Sequence, residues 1–448
     1  MNRHAQNLKV YLLGLRDLIV TAGPLLLLVI GVLIAAYWWL DPQPPKTVTM
    51  ATGPQDSAYA NFGGRYAKAL AGNGIEVKLS PTEGAQDNLG LLREGKAEIG
   101  FVRGGAADSE ADEEAGLTSL GSLFYEPIWV FYRRDLVQRL RPKAGELTLL
   151  SELKGLRVSI GTPGSGVPQI VEKLLAVNSL KLTDLKLANL ETTEAAAQLQ
   201  QGKIDAAIIV SAQQSRGLRE LLRNPAVALM PFEQNEAYSR RLPFVSAVTL
   251  PRGVVDLAAD VPPHDVSLLA TTTSLITRED THPALRQRFA QVAQGIHSRA
   301  GWFNGTRDFP NTKTSELPVS PEGDRAINGT PPIWQRYLPF WASNLLERMW
   351  LVITGLLVLM LPLSRIVPPL YNYRVRSRVF RWYERLRTVE AHMDAREGKR
   401  EDLLDELEAL ERLTNRIAVP LSHADELYGL RNNIHAVRKR VLARWPAA

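Results

Sequence analysis

A strand–loop–helix pattern that occurs twice, about 110 residues apart, limits the fold of this chain more than any other feature. Residues 48–59 predict a short strand, a loop of small residues and a helix, and residues 158–167 repeat that order. Residues 95–102 and 202–209 form a second matching pair, each ending a helix and opening a buried strand. We therefore predict an α/β fold with two similar lobes, each presenting a loop to a ligand.

Loops of this kind leave backbone N–H groups free at a helix N-terminus, where the helix dipole favours an anion. In the first lobe, the loop at residues 82–88 and the strand end at residues 101–105 lie on the same edge of the sheet as the first loop. In the second lobe, Thr162 and Ser165 add hydroxyl groups suited to a carboxylate. An ordinary structural turn is the alternative at each loop.

Three larger side chains near these loops have two interpretations each. The Tyr59 hydroxyl can meet a ligand, or its ring can pack on Phe62. Arg103 can pair with a ligand carboxylate through two hydrogen bonds, or lie on the surface. Asn88 can bond the ligand or cap its own helix, whereas the nearby acidic residues 83 and 87 are predicted to be loop and cap residues.

The loop 161–166 fits neither of two motifs found in enzymes, the phosphate-binding P-loop and the nucleophile elbow. Val167 occupies the position of the lysine of a phosphate-binding P-loop, and Pro163 replaces the first glycine of a nucleophile elbow. The chain has no cysteine, and its seven histidines are scattered. We therefore predict a protein that is not an enzyme, with no catalytic residues, no metal and no cofactor.

Two apolar segments predict membrane spans. Leu18–Leu40 carries no charge and is long enough to cross a bilayer. A cleaved signal peptide is the alternative, but the apolar run is longer than the core of such a peptide. Residues 349–364 are uncharged, extend to residue 370, and are followed by seven arginines at 365–387. The positive-inside rule then places both termini in the cytoplasm and residues 41–345 outside, in the periplasm of a bacterial inner-membrane protein. The net charge of +6 reflects this orientation rather than nucleic-acid binding.

The tail predicts packed helices. Leu403, Leu410 and Ile417 lie seven residues apart, with Leu407 between them, and a second apolar stripe runs from 427 to 441 beyond Pro420. A helical hairpin and a coiled-coil oligomerisation segment are both compatible with these stripes.

The predicted domains follow from these segments. They are a cytoplasmic N-terminus (1–17), a first span (18–40), a two-lobed ectodomain (41–300), a linker with a membrane-interface segment (301–345), a second span (346–370) and a basic helical tail (371–448). Within the ectodomain, lobe one is expected at 46–132 and 241–300 and lobe two at 133–240, so that two crossings form a hinge that can close on a ligand.

Over residues 46–300 the chain resembles the TAXI family of TRAP-transporter solute receptors, periplasmic binding proteins of type II. The resemblance lies in six stretches: 51–59, 81–89, 95–102, 153–161, 163–166 and 202–207. The chain departs from the family pattern at Asp56, usually glycine, at Ala85, usually serine, and at Val167, often threonine. The resemblance implies capture of a small organic acid or amino acid between two lobes for a TRAP permease.

The loops and the resemblance together give the predicted ligand-binding residues: Thr52, Gly53, Ser57, Tyr59, Gly84, Ala85, Asn88, Arg103, Thr162, Gly164, Ser165 and Gly166. The function predicted first is a membrane-anchored receptor for a small carboxylate-bearing solute, with TRAP permease subunits as partners, no nucleic acid, and homo-oligomerisation through the tail. The alternative is a membrane-tethered sensor or scaffold protein that acts through the cytoplasmic helices.

Overall fold

The computed structural model describes residues 3–41, 43–140, 145–330, 334, 337–395, 397, 399–415, 417 and 423–444. Two compact units emerge from the pattern of contacts: residues 43–344 form one, and residues 1–42 with 345–448 form the other. Each unit is described by itself.

The unit 43–344 is built on a single mixed sheet. Its main strands lie in the order β2-β1-β3-β10-β4-β7-β5-β6, with β8 on β4 and β9 on β10. The strands are β1 (Thr47–Ala51), β2 (Glu76–Ser80), β3 (Ile99–Arg103), β4 (Leu117–Arg133), β5 (Arg157–Ser159), β6 (Lys186–Ala188), β7 (Ala206–Val210), β8 (Val227–Leu229), β9 (Val245–Leu250) and β10 (Val266–Arg278).

The sequence repeat is present in the topology. In one half, β1 pairs in parallel with β2 and β3, and in the other half β5 pairs in parallel with β6 and β7. Both triplets flank the antiparallel pair β4–β10, so each half is an α/β lobe with the same strand arrangement. The prediction of two similar α/β lobes is confirmed.

Helices cover both lobes. Those of lobe one are α2 (Ala58–Ala71), α3 (Ala85–Arg93), α4 (Ser109–Glu114), α10 (Pro283–His297) and α11 (Pro321–Asn328). Those of lobe two are α5 (Arg134–Leu140), α6 (Val167–Val177), α7 (Thr192–Gln200), α8 (Arg216–Leu222) and α9 (Asn235–Arg241). Trp129 is fully buried in the core of lobe two, and Tyr66 and Phe289 are fully buried in the core of lobe one. Separate cores allow the lobes to move as two bodies.

Two long strands, β4 and β10, connect the lobes. Their pairing places the lobe boundary at a different residue from the predicted one. The first part of β4 and the last part of β10 belong to lobe one, because residues 273–277 of β10 pair with β3. The earlier part of β10 pairs with β9, whose Val245, Val248 and Leu250 lie in the core of lobe two. By strand pairing the return to lobe one is near Thr272, whereas the sequence predicts it after residue 240. The alternation of apolar and polar residues along β9 does not show to which lobe the strand belongs, because its pairing with β10 determines that.

The segment predicted as a linker after residue 300 packs on lobe one. Ser119 donates its N–H to the carbonyl of Pro318, and Ser122 and Asn311 exchange two backbone hydrogen bonds. Phe309 and Leu317 are buried. The compact unit extends to residue 344, so this segment belongs to the same unit as the two lobes.

In the described part of the second unit lie α1 (Arg3–Leu40), α13 (Arg400–Thr414), α14 (Ala424–Arg444) and all but the first turn of α12 (Phe340–Ala395). Two of its segments, Leu18–Leu40 and part of Ala342–Ala395, are long and apolar enough to cross a membrane by length and composition. The N-terminal apolar helix predicted from the sequence is therefore present. The helix α12 continues 25 residues beyond the predicted end of the second span at 370.

The tail helices pack within the chain. Leu407 on α13, Ile434 and Val437 on α14, and Val379 and Leu386 on α12 share one apolar core. Both predicted stripes thus face an intrachain bundle, which agrees with the predicted hairpin. The coiled-coil alternative stays a prediction, and Pro420 lies outside the described residues.

Candidate functional site

A cavity of about 380 Å³ lies between the two lobes. It is reached from the carboxyl ends of β1, β5 and β7, the edge at which open α/β sheets bind ligands. The first residues of α2, α7 and α8 line it, together with the loop before α6. The repeated strand–loop–helix units therefore converge on one space, as the duplicated loops predict.

An ion pair forms the inner wall of this cavity. The Arg103 Nε atom lies 3.2 Å from Oε2 of Glu126, and both side chains are more than nine-tenths buried. Arg103 also donates through Nη1 to the carbonyl of Val210, at 2.8 Å, across the lobe boundary. Burial alone would lower the pKa of Arg103, but the Glu126 carboxylate and Tyr59 outweigh that effect and raise it. The guanidinium is therefore charged and neutralised from within the protein.

Two hydroxyl groups complete the hydrogen bonding of Glu126. Tyr59 donates to Oε2 at 2.8 Å and Thr273 donates to the same atom at 2.6 Å. The Tyr59 ring also stacks on Phe101, with 5.2 Å between the centroids. Burial raises the pKa of Tyr59 well above its usual value, so its hydroxyl stays protonated and continues to donate. Tyr59 thus lines the cavity with its hydroxyl bonded to Glu126 and its ring stacked on Phe101, whereas the predicted alternatives were a ligand contact and packing on Phe62.

This arrangement changes the interpretation of Arg103. It is not a surface residue, because it is 7% exposed and lines the cavity. However, the carboxylate that it pairs with belongs to β4 of the same chain. An isolated carboxylate within the apolar strand run at 123–132 was the sequence signal for this pair, because a buried charge requires a partner. That signal was missed.

Six of the twelve predicted binding residues line the cavity: Ser57, Tyr59, Gly84, Arg103, Thr162 and Ser165. Two of their hydroxyls already serve the backbone. Ser57 accepts the N–H of Ala60 and caps α2, and Ser165 accepts the N–H of Val167 while donating to the carbonyl of Thr162. These hydroxyls hold the loops in shape as well as facing the cavity.

The other six predicted residues do not line the cavity. Thr52 donates to the carbonyl of Ser80, and the Asn88 amide donates to the carbonyl of Phe101. Asn88 thus holds α3 on β3, a role close to the capping alternative. The rest of this group are small residues that shape the turns: Gly53, Ala85, Gly164 and Gly166.

The two lobes touch along one rim of the cavity. A Cβ added to Gly84 would lie 2.9 Å from the Cα of Ser165 in the opposite lobe. Glu83 accepts the backbone N–H of Gly164 at 3.0 Å, and Lys173 donates to the carbonyl of Gly105 at 2.8 Å. The structure is therefore the closed form of the cleft.

Several lining residues were not predicted. Ser159, at the end of β5, and Ser215, before α8, are 1% and 6% exposed. Neither side chain has a hydrogen-bond partner among the described residues, and Ser215 does not cap its helix. Acidic residues also reach the cavity, at Asp56, Glu83, Glu191 and Glu220. Among the residues that the structure describes, no cluster suited to a metal ion occurs.

With this geometry in view, comparison with protein families gives one match, which covers residues 50–286 and therefore more than half of the chain. The chain belongs to the NMT1-like family. The matched region of this NMT1-like protein includes lobe two, most of lobe one and every predicted binding residue.

Solved structures similar to this NMT1-like protein include two of the sulfonate-binding protein SsuA. The alkanesulfonate-binding SsuA of Xanthomonas axonopodis pv. citri, bound to MOPS, is 14% identical with a TM-score of 0.36, over 57% of this chain and 76% of that one. The aliphatic sulphonate-binding SsuA of Escherichia coli is 15% identical with a TM-score of 0.36, over 57% and 69%. PhnD1 of Prochlorococcus marinus, in complex with methylphosphonate, is 13% identical with a TM-score of 0.38, over 57% and 85%.

Proposed function

We propose that this protein is a membrane-anchored solute receptor that captures a small carboxylate-bearing solute between its two lobes and delivers it to a TRAP-type permease. The observation that carries the proposal is the interlobe cavity of about 380 Å³ at the carboxyl ends of the strands. Its volume suits a small molecule, and the two strand crossings provide a hinge for its entry.

The proposal is one of binding rather than catalysis. The polar groups of the inner wall are engaged with one another, since Tyr59, Thr273 and Arg103 all serve Glu126. A binding protein needs such a fixed wall, whereas a nucleophile or general base needs free access to the reacting atoms.

Binding is tested by thermal unfolding of the full chain in nanodiscs against organic acids and amino acids. A solute that binds only the folded protein at 100 times its Kd adds about 2.7 kcal/mol of stability. Ser165→Ala should reduce that gain because Ser165 lines the cavity and orders its loop. Absence of a shift with every solute class would reject the receptor proposal.

The proposed topology places the two-lobed unit in the periplasm and both termini in the cytoplasm of a bacterial inner-membrane protein. Because the chain has no cysteine, single cysteines report accessibility without a background signal. An impermeant maleimide should label Ala258→Cys in cells with a permeabilised outer membrane, and Asn432→Cys only after the inner membrane is opened. Both positions are exposed. Labelling in the opposite pattern would reject this topology.

A membrane-tethered sensor or scaffold is the second candidate function. It is favoured by the intrachain bundle, whose charged outer surface includes Arg385 and Arg381. A partner pull-down with the full chain separates the two candidates. Permease subunits favour transport, whereas kinase-like or envelope-assembly partners favour the sensor or scaffold.

A further inference from the structure

The charges around the cleft are unequal. Five carboxylates and two guanidinium groups line it. Glu126 neutralises Arg103, and Glu220 lies 3.1 Å from Arg216. The remaining carboxylates are Asp56, Glu83 and Glu191, whose side chains are exposed at the mouth and take part in no ion pair with any described residue. The mouth therefore has a negative potential.

Helix N-termini act in the opposite sense, but more weakly. The N-termini of α2, α6, α7 and α8 face the cleft, and each is equivalent to at most roughly half a positive charge. Side chains of Ser57 and Ser165 already satisfy one N–H of α2 and one of α6. Three full negative charges exceed the roughly two positive charges that these four N-termini contribute together.

The interior also offers two hydrogen-bonding groups. Ser159 and Ser215 line the cavity with their hydroxyls unengaged by any described residue, although each residue is more than nine-tenths buried. Buried hydroxyls normally have a partner, and these two can take theirs from the contents of the cleft, either water or a solute. Both belong to lobe two, since Ser159 ends β5 and Ser215 precedes α8.

We propose that the solute is a basic amino acid, with its carboxylate at Ser159 and Ser215 and its positively charged side chain at Asp56, Glu83 and Glu191. The proposal rests on the receptor function proposed above and names the solute class. The same charges disfavour dicarboxylates, because their second carboxylate would lie in the negative potential of the mouth. Glu126 contributes to this selectivity by removing the free positive charge of Arg103.

The test measures the Kd of the full chain in nanodiscs by calorimetry, with L-arginine and L-lysine compared with L-glutamate and succinate. We expect the basic amino acids to bind at least about tenfold more tightly than succinate, with the difference shrinking in high salt. Succinate or L-glutamate binding as tightly as L-arginine would overturn the charge inference while leaving the receptor function intact. If no solute of any charge binds, the receptor function fails, and this inference fails with it.

Variants locate the two ends of the solute. Asp56→Asn with Glu191→Gln should weaken L-arginine binding about tenfold and leave the affinity for a neutral amino acid within about twofold. Glu194→Gln is the matched control, because Glu194 is exposed on the same helix as Thr192 but does not line the cavity. Ser215→Ala should weaken L-arginine and the neutral amino acid equally, about threefold to tenfold. Unchanged L-arginine affinity in the Asp56 and Glu191 variant would overturn the assignment of the mouth.

Discussion

Glu126 gives the cleft its internal charge balance at the scale of single residues. Its Oε2 atom accepts hydrogen bonds from Tyr59 and Thr273 and lies 3.2 Å from Arg103 Nε. A buried ion pair gains little over an apolar pair of the same shape, but a single buried charge left behind is costly. The pair therefore fixes the geometry of the wall rather than adding much net stability.

The Arg103–Glu126 pair predicts strong coupling between two substitutions. Glu126→Leu and Arg103→Met should each destabilise the protein by about 3–5 kcal/mol, because each leaves one buried charge unpaired. The double variant should be less destabilised than the two single effects added together. Denaturant unfolding of the four proteins, followed by tryptophan fluorescence, gives the coupling. Additive losses would contradict an interaction between the two side chains.

A second prediction at this scale concerns pH. His297 packs against Phe62, with 4.5 Å between ring centroids, and its Nε2 atom is buried without a partner. Burial, with a smaller contribution from Arg65, lowers the pKa of His297 from 6.5 to about 3. The unfolded chain therefore takes up a proton that the folded protein excludes. The contribution of His297 to stability is complete above pH 6.5 and is lost as the pH falls towards 3.

The expected slope is about 1.4 kcal/mol per pH unit within that window. His297→Phe should remove this slope between pH 6 and 4 and keep the ring packing. His264→Gln is the control, since His264 is exposed in lobe two. Urea unfolding at several pH values measures both variants. A slope that persists in His297→Phe would show that other groups cause it.

Among elements, the contact between the loop before α3 and the loop before α6 holds the cleft closed. Gly84 has φ = 146° and lies against the backbone of Ser165. Gly84→Ala should push these loops apart and weaken solute binding about tenfold or more, because the closed form becomes strained. Gly90→Ala is the control: Gly90 lies within α3, and an added Cβ meets nothing within 4 Å. Equal affinities of the two variants would contradict a role of this contact in closure.

Sequence patterns predicted the helices and strands better than they predicted which of them contact one another. The predicted strand–loop–helix repeats match β1 with α2 and β5 with α6, and the loops of both repeats line the interlobe cavity. The lobe of β9 and the packing of residues 301–328 were missed, because backbone hydrogen bonds to distant strands hold them. Backbone hydrogen bonds of this kind produce no periodic pattern of apolar side chains along the sequence. Ser159 and Ser215 were missed for a different reason, because serine is ordinary at a strand end or before a helix.

At the scale of the whole molecule, the C-terminal helices form a body with its own core. The helix α12 runs without a break from the second apolar segment into the bundle, although it contains Pro362, Pro368 and Pro369. Arg376 lies 2.6 Å from Glu426 on α14, which adds a polar contact at the bundle surface. An intrachain core of this kind does not require a second copy of the chain.

The bundle therefore yields a prediction about association. Ile434 is fully buried, so Ile434→Ala should destabilise the bundle by about 2–5 kcal/mol and speed amide hydrogen exchange in α13 and α14 together. Leu413→Ala, at a position 38% exposed, should have little effect. Because the core lies within one chain, exchange rates should not change over a hundredfold range of protein concentration. Slower exchange at high concentration would instead support the coiled-coil oligomer, because subunit association stabilises a folded state by mass action.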